Sequence, residues 1–169
     1  MDSLNASDVL LRPATIGDLP AISDIFNHYV HHSTCIYQTQ PETLAARTAW
    51  FAAHGPAHPV IVAVLADQVV GWGSLSAYKT LEAYRFTVED SVYVRSDLHR
   101  RGIGSALLAR LIELAQAHQH HSIIASIDGY QTPSIALHEL FGFAKVARFS
   151  EIGRKYDRWL DVVYMQRMV

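Results

Sequence analysis

The residues best suited to chemistry in this sequence lie between positions 79 and 138. The stretch 91–108, Ser-Val-Tyr-Val-Arg-Ser-Asp-Leu-His-Arg-Arg-Gly-Ile-Gly-Ser-Ala-Leu-Leu, reads as a strand running through a basic, glycine-bearing loop into an amphipathic helix. Gly102 and Gly104 let the backbone pass close to a bulky anion. The unpaired amides of a helix's first turn then point at that anion with the favourable end of the dipole. His99, Arg100 and Arg101 add local positive charge, so the loop suits a phosphate. It is not a Walker loop, which ends in Gly-Lys-Ser/Thr, nor a Rossmann fingerprint, because position 107 is Leu where a third glycine belongs. Glu89 stands just before the loop, with Arg85 four and Lys79 ten residues upstream. These are either an acid with cations ready for an anionic group, or a solvated strand end on which Glu89 pairs with Arg85. His28, His31 and His32 fall at helical spacings, and His118, His120 and His121 close a helix. No carboxylate or thiolate completes either set, so no metal site is expected. The single Cys35 excludes an internal disulfide and a multi-cysteine zinc site, which fits a reducing, cytoplasmic setting.

The elements that must position these residues follow from hydrophobic periodicity. A strand at 9–12 precedes a helix at 18–32, in which Leu19, Ile22, Ile25, Phe26 and Tyr29 return at spacings of three and four. A second helix covers 43–54, and the β-branched run 60–65 reads as a buried strand that turns at Asp67 and Gln68 into another at 69–76. A strand at 87–94 then feeds the helix 102–118, whose apolar stripe is Leu107, Leu108, Leu111, Ile112 and Ala115. Further elements are a strand at 122–127, a helix at 133–140 with Pro in its first turn, and strands at 143–152 and 159–167. The order βααβββαβαββ implies an α/β fold, a mixed sheet with helices on both faces. With 169 residues, half of them hydrophobic, and no linker or repeat, one domain spanning 1–169 is the economical reading. A formal charge of −2 supplies no global attraction for nucleic acid or an anionic membrane. Residues 1–8 lack an apolar core and the longest apolar run, 60–66, has seven residues, so neither a signal peptide nor a membrane span is expected.

The loop and the element order resemble the GNAT superfamily of acetyl-CoA-dependent N-acetyltransferases, whose Gln/Arg-x-x-Gly-x-Gly/Ala motif binds the coenzyme's pyrophosphate through backbone amides. His99 occupies the Gln/Arg position here. The resemblance extends over nearly the whole chain to the phosphinothricin and methionine sulfone or sulfoximine acetyltransferase group. It is carried by Leu11-Arg-Pro-Ala-Thr15, by Asn27-His-Tyr29 with Ser33-Thr34, and by Thr87-Val-Glu-Asp-Ser-Val-Tyr-Val94. Pro133-Ser-Ile-Ala-Leu-His-Glu-Leu-Phe-Gly-Phe143 and Gly153-Arg-Lys-Tyr-Asp-Arg-Trp-Leu-Asp-Val162 complete it. It implies N-acetylation of a small free amino acid or analogue by direct transfer in a ternary complex, usually by a homodimer. It also implies a sheet splayed between the strands at 87–94 and 122–127, leaving a slot for the pantetheine arm.

Site roles follow from the same resemblance. Glu89 becomes the general base, since a peptide α-amine with a pKa of about 8 arrives mostly protonated. His138, four residues before Gly142, becomes a candidate acid for the departing thiolate, with a packing role as its alternative and Tyr93 and Tyr130 in reserve. Coenzyme contacts are implied for Val92, Tyr93 and Val94 on the strand and for Ile103 and Ser105 beside the loop's His99, Arg100, Arg101, Gly102 and Gly104. Ser134 is a further implied coenzyme contact, and Gln131 stands where the family commonly has an Asn beside the pantetheine arm. The substrate side gathers Tyr37, Lys79, Leu81, Arg85 and Thr87, with Lys79 and Arg85 as a carboxylate clamp. Tyr37 reads equally as a loop anchor. Leu81 replaces an Arg of the phosphinothricin-specific members and leans toward the methionine-analogue type. A non-catalytic acyl-CoA sensor, or acetylation of a polyamine or protein N-terminus, remains as an alternative.

Overall fold

The computed structural model describes residues 9–169; residues 1–8, on which the expectation about a leader rests, lie outside the described residues. The elements run β1 (Leu10–Pro13), α1 (Leu19–His32), α2 (Leu44–Ala52), β2 (Val60–Leu65), β3 (Gln68–Ala77) and β4 (Thr87–Val94). They continue with α3 (Ile103–Ala117), β5 (Ser122–Asp128), α4 (Thr132–Leu140), β6 (Ala144–Lys155) and β7 (Arg158–Met168). This is the expected order, on one mixed sheet arranged β1-β2-β3-β4-β5-β7-β6. Among the described residues β4 and β5 form the parallel pair, and the other neighbours are antiparallel. No helix is long and apolar enough to cross a membrane among the described residues.

Turn chemistry explains where the observed boundaries differ from the expected ones. The β2–β3 turn centres on Ala66 and Asp67, both at positive φ, and not on Asp67 and Gln68. Left-handed backbone at both central positions matches the twist of a two-residue hairpin, and Gln68 is thereby freed to pair with Leu65. The same device at Tyr156 and Asp157, φ 52° and 56°, lets β6 run on to Lys155 and pair with Arg158, past the polar stretch where periodicity fades.

Each face of the sheet buries its own core. On one, α3 presses Leu107, Leu108 and Leu111 onto Val70, Leu75, Val88 and Ile123, all nearly inaccessible. This close approach is why β3 carries glycine: a Cβ on Gly73 would lie 3.0 Å from Leu111 Cδ1 and from the Ser91 carbonyl oxygen. On the other face, α1 and α2 pack Leu19, Ile22, Phe26 and Val30 against Val62 and Trp72. Arg47 is buried there as well, its guanidinium over the Phe26 and Trp50 rings and paired with Glu42. The chain enters α1 through a box in which Asp18 accepts hydrogen bonds from the backbone and hydroxyl of Thr15 and a bidentate pair from Arg12. The Arg12 bonds, ahead of those from Thr15, outweigh burial and hold the Asp18 carboxyl at about 2.

The feature that matters most for function is a fork. β4 pairs with β3 along seven positions, from Ala77↔Val88 to Gly71↔Val94. Toward β5 it pairs only from Thr87 to Glu89, opposite Ser122 to Ile124. β5 stays with β7 through Asp128, so beyond Glu89 the sheet opens between β4 and β5, as the family resemblance implies.

Candidate active site

The fork widens into a cavity of about 820 Å³, walled by 89–94 of β4, 125–128 of β5, the loop leading to α3, and one side of α4. Backbone pairing decides what β4 offers it. Tyr78 donates to the Thr87 carbonyl at 3.3 Å and Arg95 to the Val70 carbonyl at 2.8 Å, so odd-numbered residues of β4 bond β3. By antiparallel alternation the main-chain groups of Val92 and Val94 then face the fork. The Val94 carbonyl accepts a bond from the Tyr29 hydroxyl, and Tyr29 also meets His99 Nε2, with the two rings parallel within 5°. Burial pushes the Tyr29 phenol up to about 12, so it stays a donor and ties α1 to the basic loop.

At one end of the cavity, α3 begins at Gly102 in a left-handed conformation, φ 79°, with no side chain capping its amides. The first-turn amides have no intrahelical partners. A Cβ at Gly104 would meet only Leu137 and Val94 side chains, at 3.5 and 3.8 Å. The glycine at 104 is therefore dispensable for packing within the protein, while the uncapped amides fit an anion. Arg100, His99, Ile103 and Ser105 line this end; Arg101 is exposed outside the lining.

At the other end, Glu89 occupies the last paired position before the strands part. Burial pushes its carboxyl above the ordinary range, with the Ser126 hydroxyl pulling part of the way back and the Asp90 charge adding to the rise. A carboxyl raised in this way suits proton acceptance near neutrality. Side chains alternate along β4, so Glu89 and Tyr93 face the α1–α2 side while Val88, Asp90 and Val92 face α3 and α4. Tyr93 is packed against Phe26, Tyr29 and Trp72, and burial raises its phenol. His138 is buried on the α4 side, Nδ1 donating to the Ser134 carbonyl at 2.8 Å and Nε2 lying 3.0 Å from Asp90 Oδ2. Gln131 and Ser134 line the cavity; Tyr130 is exposed, with the Arg158 guanidinium over its ring.

The remaining expected substrate residues lie outside the lining. Tyr37 is half-buried across Gly153, its hydroxyl donating to the Asp161 carbonyl at 2.9 Å. Lys79 and Arg85 are exposed on the 78–86 connection, Lys79 near the Tyr78 and Tyr84 rings and Arg85 over Phe86. Leu81 is exposed on the same connection, and Thr87 is half-buried at the start of β4. Sequence reasoning assigned no role to Asp90, Cys35 or Asp128, which do line the cavity. Cys35 is brought there because Thr34 bonds Asp128 while Lys155 Nζ, almost fully buried, donates to the carbonyls of Ser33 and Ile36. Strand alternation was the signal for Asp90, since it sends the neighbour of Glu89 to the opposite face. A second groove of about 610 Å³, between α4 and β6, holds none of the expected residues.

Residues 22–143 match the acetyltransferase (GNAT) family. The chain is 40% identical over 158 residues to an L-methionine sulfoximine/L-methionine sulfone acetyltransferase of Pseudomonas paraeruginosa, covering 92% of each chain. It is 34% identical over 165 residues to a phosphinothricin N-acetyltransferase of Streptomyces coelicolor, covering 95% of this chain and 96% of that one. The crystal structure of a GNAT superfamily phosphinothricin acetyltransferase from Sinorhizobium meliloti, in complex with AcCoA, superposes with a TM-score of 0.93. Identity there is 35%, over 96% of this chain and 89% of that one. The resemblance first drawn from sequence segments thus holds along the molecule, and the chain belongs to the GNAT family as an acetyl-transfer enzyme.

Proposed function

We propose that the protein acetylates the α-amine of a small free amino acid or analogue, of the methionine sulfone, methionine sulfoximine or phosphinothricin type, by direct transfer from acetyl-CoA in a ternary complex. The observation that carries this reading is one cavity with Glu89 at the fork and the uncapped start of α3 at its far end. Acetyl-CoA supplies an activated acetyl thioester when bound. The α3 amides, with Arg100 and His99, would hold its pyrophosphate, and the fork-facing groups of Val92 and Val94 would align its amide-bearing arm. Glu89 accepts the proton of the amine as nitrogen attacks, and His138 stands on the α4 wall as the candidate proton donor to sulfur.

An acetylated polyamine would want a surplus of acids. Of the three in the lining, Asp90 is engaged by His138 and Asp128 by Thr34, which favours a substrate with one amine at Glu89. Its carboxylate would be met by Lys79 or Arg85 from the 78–86 connection, with Leu81, Thr87 and Tyr37 near the side chain. The long edge strand β6, with Val146, Phe149 and Ile152 exposed, supports a homodimer of single-domain chains. The single thiol of Cys35 is in keeping with a reducing, cytoplasmic setting.

Thiol release from acetyl-CoA tests the reading, with methionine sulfone, methionine sulfoximine, phosphinothricin, a polyamine and a peptide N-terminus as acceptors. Release with the amino-acid analogues, reduced more by Arg85→Ala or Lys79→Ala than release with their decarboxylated amines, is the expected result. Coenzyme binding with no release from any acceptor would point instead to a sensor.

A further inference from the structure

His138 is held by one partner on each side of its ring. Nδ1 is 2.8 Å from the Ser134 carbonyl, which can only accept, so Nδ1 carries a hydrogen. Nε2 is 3.0 Å from Asp90 Oδ2, and the two side chains are 5% and 2% exposed. The other carboxylate oxygen, Oδ1, is buried and accepts no hydrogen bond from the described residues. Among the described residues no other titratable side chain bonds the imidazole. Glu139, next on α4, is turned toward Lys145 at 2.8 Å; Glu89 alternates to the opposite face of β4; Asp128 of β5 is bonded by Thr34. From the β6 side the ring meets the edge of Phe143.

Two proton arrangements satisfy this geometry: an imidazolium donating to a carboxylate, or a carboxylic acid donating to a neutral imidazole. Both are electrically neutral as a pair, and both hold one more proton than the anion left when that proton departs. The pair stands in the wall of the same cavity as the first turn of α3, on the α4 side, across β4 from Glu89.

We propose that Asp90 is a positioning residue for the acid half of the reaction: it keeps His138 loaded with the proton that the departing coenzyme A thiolate takes up. This rests on the acetyl-transfer reading given above. As the amine nitrogen bonds the acetyl carbon, the C–S bond breaks and sulfur keeps its electron pair. The amine's proton passes to Glu89, and a second proton passes from the Asp90–His138 pair to sulfur, yielding free thiol. The pair is left as imidazole and carboxylate and is reloaded from solvent. Burial opposes a charge on His138, yet the Asp90 bond and charge, with the Ser134 carbonyl, outweigh it and raise the imidazole pKa. Removing the carboxylate charge should therefore empty His138 at a lower pH.

The test joins a readout that needs no coenzyme to one that does. Ring-nitrogen NMR of the free protein at neutral pH should show His138 either protonated at both nitrogens or with Nε2 sharing an acid proton of Asp90, and in Asp90→Asn that proton should be lost at distinctly lower pH. In the pH–rate profile, Asp90→Asn should shift the alkaline limb downward, lower kcat about 10- to 100-fold above neutrality and leave KM for acetyl-CoA within about threefold. Asp90→Asn combined with His138→Gln should be no slower than His138→Gln alone. Identical His138 titrations in wild type and Asp90→Asn, an unmoved alkaline limb, or multiplying losses in the double variant would overturn the proposal while leaving the acetyl-transfer reading intact. A wild type that releases no thiol from any acceptor would overturn both. Should Asp90→Asn fail to fold, the wild-type spectrum still decides, because an imidazole with a bare nitrogen and no acid proton shared with Asp90 at neutral pH contradicts it.

Discussion

The two flanks of β4 make opposite use of the same eight residues. Toward β3, pairing continues for seven positions, glycines at 71 and 73 admit α3 within contact distance, and the side chains above are inaccessible. Toward β5, pairing stops after three positions and the strand's polar groups face a cavity. Backbone groups on the closed flank pair with β3, whereas the fork-facing groups of Val92 and Val94 have no strand opposite them, the Val94 carbonyl being taken by Tyr29, and suit a ligand that carries amides. Stability should therefore reside on the first flank and activity on the second, and the two should respond to different mutations.

The largest effect is expected from Glu89→Gln, which should lower turnover roughly 10²- to 10⁴-fold while leaving coenzyme affinity nearly unchanged. Its stability should be equal to or slightly above wild type. The folded state raises this carboxyl's pKa, so its ionisation at neutral pH works against folding, and a neutral amide removes that cost. Loss of thermal stability in step with turnover would show that Glu89 belongs to the frame and not the chemistry. Gly102→Val comes next: at φ 79° a β-branched residue is strained, and the loop end of the cavity should lose on the order of 10- to 100-fold in coenzyme affinity, read by titration calorimetry.

Gly73→Val sharpens the comparison from the other flank. Its Cβ would meet Leu111 and the Ser91 carbonyl at 3.0 Å, so unfolding should show a loss of roughly 2 kcal/mol with kcat little changed. The smallest effect concerns Asp18, far from both flanks. Its carboxyl lies at about 2 in the folded protein, below its unfolded value, so its contribution is present above pH 4 and is lost as pH falls from about 4 toward 2. Asp18→Asn should cost about 1 kcal/mol at neutral pH, abolish that acid sensitivity and leave activity unaltered.

Sequence reading reached the closed flank and the loop because both are written in local patterns. The apolar stripe of α3, the β-branched run of β2 and the glycines at 102 and 104 each predict their own conformation. The fork itself was legible only through resemblance, since no periodicity marks where two parallel strands part. The substrate end was least legible. Lys79, Leu81 and Arg85 are near Glu89 in sequence, but the 78–86 connection carries them outside the lining, and the wall is completed by Cys35, Asp90 and Asp128 from three separate elements. Tyr37 is a case of the same kind: its ring covers Gly153, a contact across more than a hundred residues that no local pattern encodes.

Amide hydrogen exchange with and without coenzyme A tests the central claim most directly, because it reads the two flanks of one strand separately. Ser91 and Tyr93, bonded to β3, should be protected in the free protein and change little. Val92 and Val94, together with residues 103–105, should exchange quickly alone and become protected at saturating coenzyme. Protection confined to the groove between α4 and β6, or unchanged exchange at Val92 and Val94 with coenzyme bound, would contradict the assignment of the fork as the coenzyme site.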